Sequence, residues 1–361
     1  MIIRSLELTD YRNYGELAIS FDEGTTVLFG DNAQGKTNIL EALYLSATTR
    51  SHKGSKDRDI IQFQKSESHI KTILVKDDIE TKIDMHLRGE KSKIVAIDGK
   101  KIKKAAELMG LCNIVFFSPE DLGIIKNGPS ERRRFADMEL CQLDQFYLYN
   151  LNNYNKIISQ RNRLLKDIFF SPELKETLSI WDSQLVSYGS KIMERRASFA
   201  GQISEIIRDY HRKLSGGKEE IVVKYEPNVS IEDYGSEIEK SRERDVRAKM
   251  TTVGPHRDDF SFIVNGIDIR KFGSQGQQRT AALSLKLSEI ELVKTITGDT
   301  PVLLLDDVLS ELDSSRQNYL LDSIGDVQTI ITCTGLDDFV NNNFKINKTY
   351  RISNGTAEAV S

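Results

Sequence analysis

The chain has few of the residues that build cross-linked or metal-stapled proteins. Its 361 residues include three cysteines, Cys112, Cys141 and Cys333, far apart and without a CxxC pair. That excludes a disulfide or zinc framework and predicts reduced thiols in a cytoplasmic protein. The five histidines sit in no motif that would support Ser-His-Asp catalysis. No apolar run approaches the roughly 18 residues of a membrane span, so no membrane partner is expected. The opening MIIRSLELTDYRNY alternates like a strand and lacks the apolar stretch of a signal peptide. Positive charge is not in excess either. The formal net charge is −4, so any contact with nucleic acid must come from local patches. The single tryptophan, Trp181, reads as core and not as a base-stacking platform. There is no internal repeat and no long low-complexity segment.

What is present divides the chain into three stretches. Residues 1–125 alternate strand patterns with turn residues, including IIRSLEL, ELAISF, TTVLFG, HIKTILVK, TKIDMHLRG and KIVAIDGKKIKK. Residues 126–250 are mainly helical. Leu151, Tyr154, Ile158, Leu165 and Ile168 are expected on one face of a first helix. Ser171-Pro172 then supplies an N-cap and a first-turn proline for a second helix. In that helix Leu178, Leu185, Ile192, Phe199 and Ile206 recur at seven-residue spacing until Gly216-Gly217 ends it. The pair reads as a short antiparallel arm, each helix reaching roughly 50–65 Å if unbroken. Residues 251–361 return to strands and helices, which makes the whole an α/β chain of mixed and parallel sheets with an inserted helical arm.

The first chemistry lies in Gly30-Asp31-Asn32-Ala33-Gln34-Gly35-Lys36-Thr37. It matches GxxxxGK[ST], with an apolar strand before it and a helix-forming run after it. Backbone N–H groups of such a loop close around phosphate oxygens, Lys36 neutralises their charge, and the Thr37 hydroxyl is placed for Mg²⁺. An accidental glycine turn would not carry strand, loop and helix together. The second element is PVLLLDDVLSELD. Val302–Leu305 form a continuous apolar run, as in a strand buried on both faces of a parallel sheet. Asp306 ends that strand on the side where α/β sheets bind ligands, as a direct Mg²⁺ ligand or one step removed. Asp307 could orient or deprotonate an attacking water. A third element, SQGQQRT, precedes a helical pattern at Leu283, Leu287, Ile290 and Val293. Ser274 and Gln277 have the spacing of a capping box. The free N–H groups and dipole at such a helix start invite an anion.

In order, GDNAQGKT, SQGQQ, LLLDD and SELD resemble the Walker A, signature, Walker B and D-loop elements of ABC-type ATPases. With LTDYRNY, FFSPEDL, GPSERRRFAD and GPHRDD, the pattern resembles the RecF family over essentially the whole chain. The insertion is too long for a transporter cassette and too short for the coiled coils of chromosome-condensation ATPases. The resemblance implies an ATP-dependent DNA-binding protein of recombinational repair and replication restart, acting with RecO and RecR to load recombinase at single-strand gaps. It implies ATP and Mg²⁺ at Gly30–Thr37 and Asp306, with Ser274, Gly276 and Gln277 capping the γ-phosphate held by a second copy. The chain is then expected to be a monomer without nucleotide and a homodimer with ATP. Two departures from the broad ABC pattern imply slow hydrolysis. Asp307 stands where glutamate is usual, and Thr332-Cys333-Thr334 replaces the switch histidine. FFSPEDL occupies the place of the Q-loop. The rival reading is a nucleotide-stabilised scaffold for DNA and partners with negligible turnover.

Three basic runs are candidates for DNA phosphate: Arg132-Arg133-Arg134; Lys100, Lys101, Lys103 and Lys104; and Arg50, Lys53, Lys56 and Arg58. Taken singly, each run reads more readily as a solvated face; the family resemblance implies that at least one of the three meets DNA. His256 in GPHRDD has no histidine or cysteine near it in sequence and is expected in a structural turn.

Overall fold

The computed structural model describes residues 1–336 and 344–360. Two units divide it, Met1–Asp121 with Glu289–Ser361, and Leu122–Ser288. The boundaries drawn from composition, 125/126 and 250/251, differ most at the second. The Asp259–Val264 strand pairs antiparallel with Ile221–Glu226, so residues past 250 are bonded into the helical unit. Among the described residues no helix is long and apolar enough to cross a membrane.

In the first unit, alternation in IIRSLELTDY produces the Ile2–Tyr11 strand, with Ile3, Leu6 and Leu8 buried and Glu7 exposed. It anchors an antiparallel sheet ordered Tyr14–Ser20, Ile2–Tyr11, Glu67–Lys76, Ile79–Arg88, Ile94–Ile97 and Lys100–Lys101. The core sheet is ordered Thr356–Val360, Lys348–Ser353, Thr25–Phe29, Thr329–Cys333, Val302–Asp306 and Ile114–Phe117. Its pairings are parallel except at the Thr356–Val360 edge. The inner strands are buried along their length, which is why they read as unbroken apolar runs. The helix Lys36–Thr48 is buried on nearly every side.

The second unit is built on helices Pro129–Leu143, Gln145–Asp167 and Leu178–Leu214. A 3₁₀ turn over Pro172–Thr177 intervenes, so the Ser171-Pro172 signal opens that turn and not the long helix itself. Leu178, Leu185, Ile192 and Phe199 are buried, but the fifth heptad position is not: Ile203 and Ile207 are buried while Ile206 is half-exposed. A 3.6-residue helix drifts by roughly 20° per heptad, which carries Ile206 off the seam. In the preceding helix, Ile157 and Arg161 are buried where Ile158 was expected. Arg161 binds Asp182 and Asp245, each at 2.7 Å, and Thr251 Oγ1 at 2.9 Å. Removing one member of such a buried network strands the others, at roughly 3–5 kcal/mol.

Candidate nucleotide site

The site of the first unit lies at the carboxyl ends of three adjacent parallel strands. Thr25–Phe29 leads into the phosphate loop, Thr329–Cys333 is the central strand, and Val302–Asp306 ends in the acidic pair. Gly30 has φ 151°, and a Cβ there would lie 2.3 Å from the Ile352 carbonyl. Gly35 has φ 106°, and its Cβ would meet the Asn13 side chain at 2.5 Å. The loop conformation therefore demands both glycines. Asp31, Asn32 and Ala33 form the exposed tip.

Lys36 opens the following helix and donates to the carbonyls of Gly30 at 2.6 Å and Asp31 at 2.8 Å, so its ammonium lies along the loop. Burial lowers its pKa, opposed by the nearby Asp307, Asp306 and Asp31 carboxylates. Thr37 Oγ1 donates to Asp306 Oδ1 at 2.8 Å. Thr332 Oγ1, directly across the register from Asp306, donates to the same oxygen at 2.8 Å. Burial raises the Asp306 pKa, and the two hydroxyls act the other way. Asp307 is held in the left-handed region at φ 51°, its N–H donating to Thr332 Oγ1 at 3.0 Å. The Thr37 hydroxyl and Asp306 carboxylate form an all-oxygen donor set, which fits a hard cation such as Mg²⁺ and not a softer ion.

The loop has supports that sequence reasoning did not assign. Asn13 Nδ2 donates to the Gln34 carbonyl at 2.9 Å, and Asn13 Oδ1 accepts from Asn38 at 2.8 Å. The Asn354 N–H donates to Gln34 Oε1 at 2.7 Å. Arg12 grips the buried Glu41 with two bonds of 2.9 Å. Burial works against the Glu41 charge, but the Arg12 and Ser51 bonds hold its pKa below the usual carboxylate range. Asn13 and Arg12 lie in the LTDYRNY stretch, which was the one available signal.

In the second unit, Ser274 and Gln277 form the reciprocal capping box their spacing predicted. The Ser274 N–H donates to Gln277 Oε1 at 2.9 Å, and the Gln277 N–H to Ser274 Oγ at 3.2 Å. Gln277 Nε2 also donates to Glu219 at 2.8 Å. Ser274, Gln275 and Gly276 are exposed at the head of the helix Gln275–Thr297. Leu283, Leu287, Ile290 and Val293 of the helical pattern are buried, and burial extends to every residue over 280–290.

The basic runs separate. Arg132 is buried and binds Asp259 through two bonds of 2.7 and 3.1 Å, and Arg133 donates to the Asp258 carbonyl at 2.6 Å. Of this candidate run, Arg132 is therefore a structural ion pair and is not available to DNA phosphate. Lys100, Lys101, Lys103 and Lys104 are all exposed, as are Arg50, Lys53, Lys56 and Arg58. His256 is held in a 3₁₀ turn, its Nδ1 2.7 Å from Tyr154 Oη and its Nε2 3.0 Å from the Thr251 carbonyl.

The RecF/RecN/SMC N-terminal domain model matches residues 2–358. A DNA replication and repair protein RecF from Agathobacter rectalis is 60% identical over 360 residues, covering 100% of this chain and 99% of the relative. A solved structure of the recombination mediator protein RecF-ATP in the RecFOR pathway is 33% identical, with a TM-score of 0.91, covering 99% of this chain and 97% of that one. An Smc head domain from Pyrococcus furiosus, 18% identical with a TM-score of 0.57 over 99% of this chain and 95% of its own, shares the fold. With the ABC-type ATPase fold of its core sheet and a match along its whole length, the chain belongs to the RecF family.

Proposed function

We propose that the chain is an ATP-dependent DNA-binding protein of replication and repair that dimerises on ATP, engages single-stranded or gapped DNA, and resets by slow hydrolysis. The observation that carries this reading is the Thr37–Asp306–Thr332 oxygen cluster beside the phosphate loop. The loop N–H groups of Gly30 to Thr37 and the Lys36 ammonium bind the phosphates. Thr37 and Asp306 would hold Mg²⁺, which when bound neutralises phosphate charge. Asp307 orients the attacking water. By family resemblance, RecR and RecO are the protein partners.

Ser274, Gly276 and Gln277 serve the partner copy. Their helix start is exposed and pinned by the capping box, a ready place for an anion. In a two-fold dimer each signature would cap the γ-phosphate bound by the other chain, so two ATP molecules bridge one interface. ATP then stabilises the dimer to the extent that it binds that state more tightly. Ser274→Arg should bind ATP as a monomer but neither dimerise nor hydrolyse at the normal rate. Light scattering with saturating ATP tests this, and a stable dimer of the variant would contradict it. The short Asp307 side chain supports the second reading, a nucleotide-stabilised scaffold. ATP turnover measured with and without gapped DNA separates the two.

A further inference from the structure

One group of potential metal ligands on the first unit lies outside the nucleotide site. On the solvent face of the antiparallel sheet, Thr9, His69, His86 and Ile94 stand directly opposite one another across four strands. The two imidazoles are stacked, with ring centroids 4.1 Å apart and planes at 19°. Glu67 shares a face with His69, two residues along the same strand. Its Oε2 lies 2.8 Å from His86 Nε2. A depression of about 250 Å³ opens over the pair. One donor atom from each of Glu67, His69 and His86 can be chosen so that all lie within 4.8 Å of one another.

We propose that Glu67, His69 and His86 form a binding site for a divalent ion of the zinc class. Two imidazoles and one carboxylate are the ligand set of three-ligand zinc sites that keep a fourth position for water. Tetrahedral bonds of about 2.0–2.2 Å set ligand atoms about 3.3 Å apart, so the donors need to close by about 1.5 Å at most. Glu67 and His69 are exposed and His86 is half-buried, so rotamer changes can supply that movement. Neighbouring carboxylates are engaged by lysines: Glu7 with Lys71 at 2.8 Å and Asp84 with Lys82 at 3.1 Å. Glu67 thus supplies the site's anionic ligand. The Glu67–Lys76 and Ile79–Arg88 strands are joined by a turn after Lys76, and the histidines lie toward the opposite end. A bound ion would clamp the hairpin at its open end and raise the stability of this sheet by mass action.

The test is calorimetric titration of the full chain with Zn²⁺ in excess Mg²⁺, with Co²⁺ absorption as a report on geometry. The wild type should bind one Zn²⁺ with a dissociation constant on the order of micromolar, melt at higher temperature with Zn²⁺, and give a tetrahedral Co²⁺ spectrum. His69→Phe/His86→Phe keeps a ring pair and removes the nitrogen ligands. It should keep the metal-free melting temperature and lose roughly a hundredfold or more in affinity. Glu67→Gln should lose roughly tenfold. Absence of one-to-one binding, or affinity unchanged in the double variant or in Glu67→Gln, would overturn the assignment.

Discussion

Thr37 donates its hydroxyl hydrogen to Asp306 Oδ1 at 2.8 Å, joining residues 269 positions apart in the chain. The contact fixes the Gly30–Thr37 loop and its helix to the end of the Val302–Asp306 strand. Thr332 adds a bond from the strand between them to the same oxygen. Asp306 is therefore committed to position and charge, while Asp307 beside it is turned by its left-handed backbone.

The two aspartates should respond differently to loss of charge. Asp306→Asn should weaken Mg²⁺-dependent ATP binding by roughly tenfold or more. Asp307→Asn should still bind ATP and turn it over about a hundredfold more slowly, the usual cost of losing a general base. Paired calorimetry and steady-state turnover check this. Wild-type turnover in Asp307→Asn would mean that another group serves the water.

His256 should make stability pH-dependent. Burial pulls its pKa down to about 4, with the charges of Arg257 and Arg133 adding to the effect and the Thr251 carbonyl opposing it. An unfolded histidine titrates near 6.5. The folded pKa is depressed, so below 6.5 the unfolded chain takes up a proton that the native chain refuses. The neutral side chain's contribution is full above pH 6.5 and lost as pH falls toward 4. Urea unfolding at pH 7 and pH 5 should show the wild type losing about 2 kcal/mol more than His256→Gln. Equal losses would mean that the histidine does not set this pH dependence.

The elements of the candidate nucleotide site were legible in the sequence because each is local. A phosphate loop needs its glycines, lysine and threonine in one stretch, and a capping box needs only two residues three apart. The helical expectations missed where geometry accumulates, as at Ile206, and packing adds burial that spacing does not show, as along residues 280–290 of the helix Gln275–Thr297. Arg132 and Arg161 were illegible for another reason. Charged residues read as surface, and their partners Asp259, Asp182 and Asp245 are supplied by distant segments. Thr332 and the His69–His86 pair depend on strand register, which no spacing along the chain reveals.

The exposed lysines are the better test of DNA binding. Lys100 and Lys101 form the edge strand of the antiparallel sheet, where lysines also discourage edge pairing. Reversing Lys100, Lys101, Lys103 and Lys104 to glutamate should weaken binding to gapped DNA and lower the salt slope by about one unit for each phosphate no longer neutralised. Arg132→Glu should instead destabilise the fold, by roughly 3–5 kcal/mol. Unchanged affinity and slope in the lysine variant would move DNA to another face.

The most direct measurement is calorimetric titration of ATP, with Mg²⁺, into the 361-residue chain and its Lys36→Ala variant. The ammonium's charge-assisted bonds to phosphate are worth about 1.5–3 kcal/mol each. The variant should therefore remain folded and bind ATP roughly tenfold to a hundredfold more weakly. Equal affinity in the two proteins would contradict the assignment of Gly30–Thr37 as the nucleotide site.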